Sequence, residues 1–136
     1  MINPLFYKVL VVPSSVEGLD QCLLIVDEIG KLFMMDFDTK FSLQTIVVES
    51  VENAIIHGNK SNRDLVIKIS FTVTVQNVII EVEDQGEGFD LNSIPSPITK
   101  QNLLKESGRG IYFIKSLCSS CITFGYGNIL QIKMDR

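Results

Sequence analysis

"LVIKISFTVTVQNVIIEVEDQGEG" runs from Leu65 to Gly88 and decides how the chain is read. Apolar and polar residues alternate through "LVIKISFTVTV" and again through "NVIIEVED", and β-branched residues dominate both. Alternation with that composition predicts two half-buried strands. Gln76-Asn77 sits where a hairpin turn is expected. The second strand then stops in Asp84-x-Gly86-x-Gly88. A tight turn needs only one glycine, so two imply that backbone passes close to something, such as a flat base.

Upstream, "LFYKVLVV" (Leu5 to Val12) reads as a further strand ended by Pro13. Ser14 and Glu17 have the spacing of a capping box, which predicts a helix start there. Leu19, Cys22, Leu23, Val26, Ile29 and Phe33 then recur at helical spacing, and Gly30 weakens the last turn. A second helix is expected from about Thr39 to His57, with Asp38 as N-cap and Gly58 as C-cap. Downstream, residues 89–107 contain Pro95 and Pro97 and keep no period, which is long for a connector in a compact domain. "GRGIYFIKSLCS" opens a third helix, and "CITF" and "NILQIKM" form a hairpin around "GYGN". The order β, α, α, β, β, loop, α, β, β predicts a two-layer α+β sandwich. Its sheet should be mixed but mostly antiparallel, with helices on one face. One domain spanning residues 1–136 is expected.

The chain has 136 residues and a formal net charge of −4. That balance argues against a nucleic-acid binder, which relies on a basic surplus to meet phosphates. The N-terminus shows neither a basic leader nor a long apolar run, and no stretch reaches membrane-spanning length. A soluble cytoplasmic protein without membrane partners is expected. Cys22, Cys118 and Cys121 make an odd count, which suits reduced thiols. The Cys118-x-x-Cys121 pair reads as packing at a helix end in preference to a redox or zinc motif, since His57 is the only histidine.

Three segments have residue types suited to nucleotide chemistry. On the second helix, Glu49, Asn53 and His57 are four apart and share a face. An Asn oxygen suits magnesium, and a carboxylate one turn away can take a proton from a hydroxyl or water. Equally, acid and amide at that spacing are a common solvated face. Glu52 is rotated about 100° from Asn53 and ranks below Glu49. Asp84 can accept a hydrogen bond from the exocyclic amino group of adenine, and Gly86 and Gly88 remove side chains that would meet the base. Gly108, Arg109 and Gly110 stand at a helix mouth, where free N–H groups and the helix dipole attract anions. Both glycine patterns also fit ordinary turns.

Taken in order, these three segments resemble the ATPase superfamily shared by gyrase, the MutL mismatch-repair protein and the histidine kinases. Within it, "VVESVENAIIHGN" and "ESGRGIYFI" look most like the bacterial anti-sigma-factor serine kinases. Histidine kinases typically carry Lys or Arg three residues after the Asn, where this chain has Ile56. The resemblance implies a Bergerat-type ATP-binding fold, with ATP and Mg2+ as cofactors. It implies Glu49 as general base, Asn53 as magnesium ligand and Asp84 as the adenine-reading acid, with Gly86 and Gly88 beside the base. Gly108, Arg109 and Gly110 would close over the phosphates, and residues 89–107 would form the nucleotide lid. The role of His57 stays open between a site residue and a helix-end residue. The implied activity is a serine protein kinase that phosphorylates a STAS-type anti-sigma-factor antagonist and sequesters a sigma factor. Members often dimerise, and the apolar first helix is the surface considered for a homodimer. Alternatives are a nucleotide-binding switch that sequesters a partner without phosphoryl transfer, and an ATP hydrolase.

Overall fold

A computed structural model describes residues 3–88 and 109–136, apart from the Arg109 side chain. The expected loop at residues 89–107, with Gly108, lies outside the described residues. Strand β1 (Phe6–Pro13) is followed by helices α1 (Val16–Leu32) and α2 (Phe37–Asn53). Strands β2 (Val66–Val73) and β3 (Asn77–Glu83), helix α3 (Arg109–Leu117), and strands β4 (Ser120–Phe124) and β5 (Ile129–Asp135) complete the order.

The strands form one five-stranded sheet in the order β1-β2-β3-β5-β4. Every pairing among the described residues is antiparallel, so the sheet is more regular than the mixed one expected. The reason is the even number of helices between β1 and β2. Two helices in succession return the chain to the end where β1 finished, and Pro13 accordingly pairs with Val66. Strands β3 and β4, joined through the single helix α3, do run the same way, but β5 lies between them.

Alternation along the strands sends one set of side chains inward. Ile67, Ile69, Phe71 and Val73 of β2, Val78, Ile80 and Val82 of β3, and Leu130, Ile132 and Met134 of β5 are buried. They share one core with Cys22, Val26 and Ile29 of α1, Leu43, Ile46, Val47 and Val51 of α2, and Ile111 and Ile114 of α3. The helices therefore cover a single face. Lys68, Ser70, Glu81, Glu83 and Gln131 fall on the other face at the alternate positions, as the period of two requires.

Several local expectations change. The N-cap of α1 is Ser15, without a side-chain cap bond, while Ser14 is buried and accepts from Asn59 instead. The cap of α2 is Asp36, whose carboxylate accepts from the Thr39 N–H at 2.8 Å. The β2–β3 turn centres on Val75-Gln76, one residue earlier than expected, because Thr74 N–H and Asn77 C=O close it at 2.8 Å. Cys118 and Cys121 pack half-buried against the core at the α3–β4 junction. Burial pushes the Cys121 thiol up to about 11 and raises Cys118 too, which suits packing over thiolate chemistry.

Candidate nucleotide site

The end of α2 departs from a plain α-helix. Residues Ala54–Gly58 form a π-helical turn, in which Asn59 N–H reaches back to Ala54 C=O at 2.8 Å. Such wide turns are frequent at functional sites. The left-handed residues that stop the chain are Lys60 and Ser61, at φ 52° and 59°, not Gly58. Gly58 is needed for a different reason: the Asp84 carboxylate lies directly against its Cα, where a Cβ would collide with it.

Asp84 is only 6% exposed. Its Oδ1 accepts from the Gly86 N–H at 2.8 Å, and its own N–H donates to Asn128 C=O at 3.0 Å. Burial raises its pKa above the ordinary carboxylate range; the Gly86 N–H works the other way, and neighbouring Glu83 adds to the rise. The two glycines that posed the opening question have protein neighbours. A Cβ on Gly86 would strike the Gly58 carbonyl, and one on Gly88 would strike the Tyr126 carbonyl. Gly88 also sits at φ 85°, a conformation that L side chains disfavour. The close approach read from the sequence is thus, first of all, backbone on backbone. It lets the Asp84–Gly88 segment lie tightly between the end of α2 and the β4–β5 turn.

Asn59 is the residue that sequence reading missed. It is 2% exposed, and its amide serves three elements at once. Nδ2 donates to Ser14 Oγ and to Val66 C=O, each at 3.1 Å, while Oδ1 accepts from the Gln85 N–H at 2.8 Å. Gln85 Oε1 in turn accepts from the Val66 N–H at 2.9 Å. The available signal was a polar residue directly after "HG", at the point where a helix meets the core. Asn128 is a second omission: its Nδ2 lies 3.4 Å from Asp84 C=O, and its buried Oδ1 has no partner among the described residues.

At the other end of this stretch of α2, Glu49 is half-buried. A Cβ on Gly110, in the first turn of α3, would lie 2.9 Å from Glu49 Oε2, so the start of α3 rests on this carboxylate. Desolvation raises the Glu49 pKa, and the charge of Glu52 raises it further. Glu52 itself is exposed. Asn53 is half-buried one turn beyond Glu49, and His57 is exposed another turn on. The structure therefore joins Glu49 to Gly110, and Asp84 and Gly86 to Gly58, along one helix. Gly58 follows Glu49 by nine positions, roughly 13 Å of helix rise.

Among the described residues, no helix is long and apolar enough to cross a membrane. Residues 12–134 match the family described as the histidine kinase-like ATPase domain. Similar proteins include a serine-protein kinase RsbW of Oceanobacillus iheyensis, 26% identical over 112 residues, covering 78% of this chain and 71% of the relative. One of the same name from Staphylococcus epidermidis is 28% identical over 112 residues, covering 77% and 70%. An anti-sigma F factor of Clostridium botulinum is 39% identical over 70 residues, covering 50% and 49%. With a carboxylate buried at the end of β3 and an acid-and-Asn helix running from it to the mouth of α3, the chain belongs to the histidine kinase-like ATPase family, and its matches set it beside the anti-sigma-factor kinases.

Proposed function

We propose that the protein is an ATP-dependent serine kinase and anti-sigma regulator of the cytoplasm. It would phosphorylate a STAS-type antagonist and hold a sigma factor when the antagonist is modified. The observation that carries this reading is the layout along α2, with Asp84 against Gly58 at one end and Glu49 beneath Gly110 at the other. An extended nucleoside triphosphate spans that distance, base at Asp84 and terminal phosphate near Glu49. The relatives named as serine-protein kinases and anti-sigma factor support the choice of substrate and partner classes. Exposed Val16, Leu24 and Leu32 leave α1 apolar surface for a second copy.

Asp84 accepts from the adenine amino group, with Gly86 and Gly88 keeping the neighbouring backbone low. Magnesium retains several waters and needs only one or two protein oxygens beside those of phosphate, so the half-buried Asn53 suffices as its protein ligand. When bound, the ion offsets phosphate charge. Glu49 takes the proton of the serine hydroxyl as its oxygen bonds to the γ-phosphorus and the bond to ADP breaks. A carboxylate with a raised pKa suits that task better than an ordinary one. The start of α3, with Gly108, Arg109 and Gly110, supplies N–H groups to the phosphates, and residues 89–107 close over them as the lid. Positioning and electrostatics are most of what phosphoryl transfer requires.

Incubating the protein with Mg-ATP labelled at the γ-phosphate and a STAS protein tests the reading. Glu49→Ala should lower transfer by about 100-fold or more while leaving ATP affinity within a few-fold. Near wild-type transfer by this variant would remove Glu49 as the base. Nucleotide binding without transfer would favour a sequestering switch, and phosphate release without a partner would favour a hydrolase.

A further inference from the structure

We infer that Asn59 is a positioning residue for nucleotide recognition, acting through the turn that carries Asp84; this rests on the adenine site proposed above. Asn59 meets no reacting atom. It lies behind the Asp84–Gly86 turn and bonds the turn's central N–H, that of Gln85, at 2.8 Å. Its two donations tie the same amide to Ser14, just beyond β1, and to Val66 at the start of β2. The turn is thereby referenced to the sheet and to the end of α2 at once. The remaining restraints on the turn among the described residues are the Gly86 N–H to Asp84 Oδ1, the Val66 N–H to Gln85 Oε1, the Asp84 N–H to Asn128 C=O, and a long bond of 3.4 Å from Asn128 Nδ2 to Asp84 C=O. None of these fixes the Gln85 N–H. Without Asn59 that donor is left unpaired in a part-buried site, and the peptide can rotate to find another acceptor. Rotation of that peptide moves the Gly86 N–H, and with it the orientation of the Asp84 carboxylate. Recognition of one amino group depends on that orientation.

Destabilisation and mispositioning can be separated because Ser14 provides a control. Ser14→Ala removes a buried partner of Asn59 but leaves the Gln85 bond intact. Asn59→Ala removes both, and the donation to Val66 C=O with them. Calorimetric titration with Mg-ATP and Mg-GTP near 10 °C, with folding checked by circular dichroism, should show ATP affinity reduced about tenfold or more in Asn59→Ala. Ser14→Ala should stay within about twofold of wild type, although both variants melt earlier. Asn59→Asp is the second variant. It keeps the acceptor for Gln85, and the Ser14 hydroxyl can turn to donate to it; burial at this position favours the protonated acid, whose O–H replaces the donation to Val66 C=O, so the titration is run at about pH 5 as well as pH 7. Its ATP affinity should exceed that of Asn59→Ala by at least about threefold. ATP affinity in Asn59→Ala equal to wild type, an equal loss in Ser14→Ala, or no recovery in Asn59→Asp would each overturn the positioning role. Wild-type protein that takes up no ATP would instead overturn the adenine site itself, and this role with it.

Discussion

Asp84 is kept in the protein at a cost to folding. Burial makes its charged form unfavourable, and the single Gly86 N–H only partly offsets that. The folded-state pKa therefore lies above the unfolded one. Below the unfolded value both states are protonated and the full stability is present; as pH rises through the folded value, part of it is lost. Asn in place of Asp keeps an acceptor for the Gly86 N–H and carries no charge. Asp84→Asn should therefore be more stable than wild type to urea at pH 7. The gain should shrink as pH falls to about 4, where the unfolded carboxyl takes up its proton. An equal difference at both pH values would show that charge burial is not its source. A residue that weakens the fold near neutral pH needs a reason outside folding, and the proposed reading of a base supplies one.

At the scale of elements, a glycine inside a helix looks like a defect, and the two in α1 are not equivalent. Sequence alone assigns each the same penalty of about 1 kcal/mol against Ala. In the structure, Gly18 lies against the Pro13 carbonyl, so a Cβ there would strike backbone. The nearest neighbour of Gly30 among the described residues is the stem of Lys40, whose Cδ would be 3.1 Å from a new Cβ. That stem belongs to a partly exposed side chain bridged to Asp27 at 2.9 Å, and it can shift. Gly18→Ala should lower stability by about 1–3 kcal/mol through overpacking, whereas Gly30→Ala should leave it unchanged or raise it by up to about 1 kcal/mol. Urea midpoints of the two variants check this; the idea fails if both move the same way. The element order was legible because β2, β3 and the apolar stripe of α1 follow strict periods. The end of α2 was not. A π-helical turn has no sequence period of its own, so Gly58 read as a helix stop, and nothing singled out Asn59. Their actual neighbours, Asp84 and Gln85, lie 26 residues further along the chain in each case.

At the scale of the whole molecule, the sheet gathers what the sequence scatters. Asp84 leaves β3 beside the Asn128 backbone at the entry to β5, while α2 and α3 close the same side from above. The residue types at Glu49, Asn53 and Asp84 were readable one segment at a time. That Asp84 meets the last turn of α2 at Gly58, and Glu49 the first turn of α3 at Gly110, was not readable from any one segment. The proposed nucleotide site spans both layers. A ligand that bridges α2, α3 and the β3 end binds only the folded chain, so it adds its binding free energy to the stability of the whole. At free Mg-ATP about 100 times its dissociation constant, that amounts to about 2.7 kcal/mol. For a chain of this size the melting temperature should rise on the order of 10 °C. Mg-GTP should give much less, since guanine has a carbonyl where adenine offers Asp84 a donor. Asp84→Asn should lose most of the ATP-dependent rise despite its sturdier fold, so affinity and stability move in opposite directions. Thermal melts of both proteins with each nucleotide would test this, and an equal rise with ATP and GTP would refute base reading by Asp84.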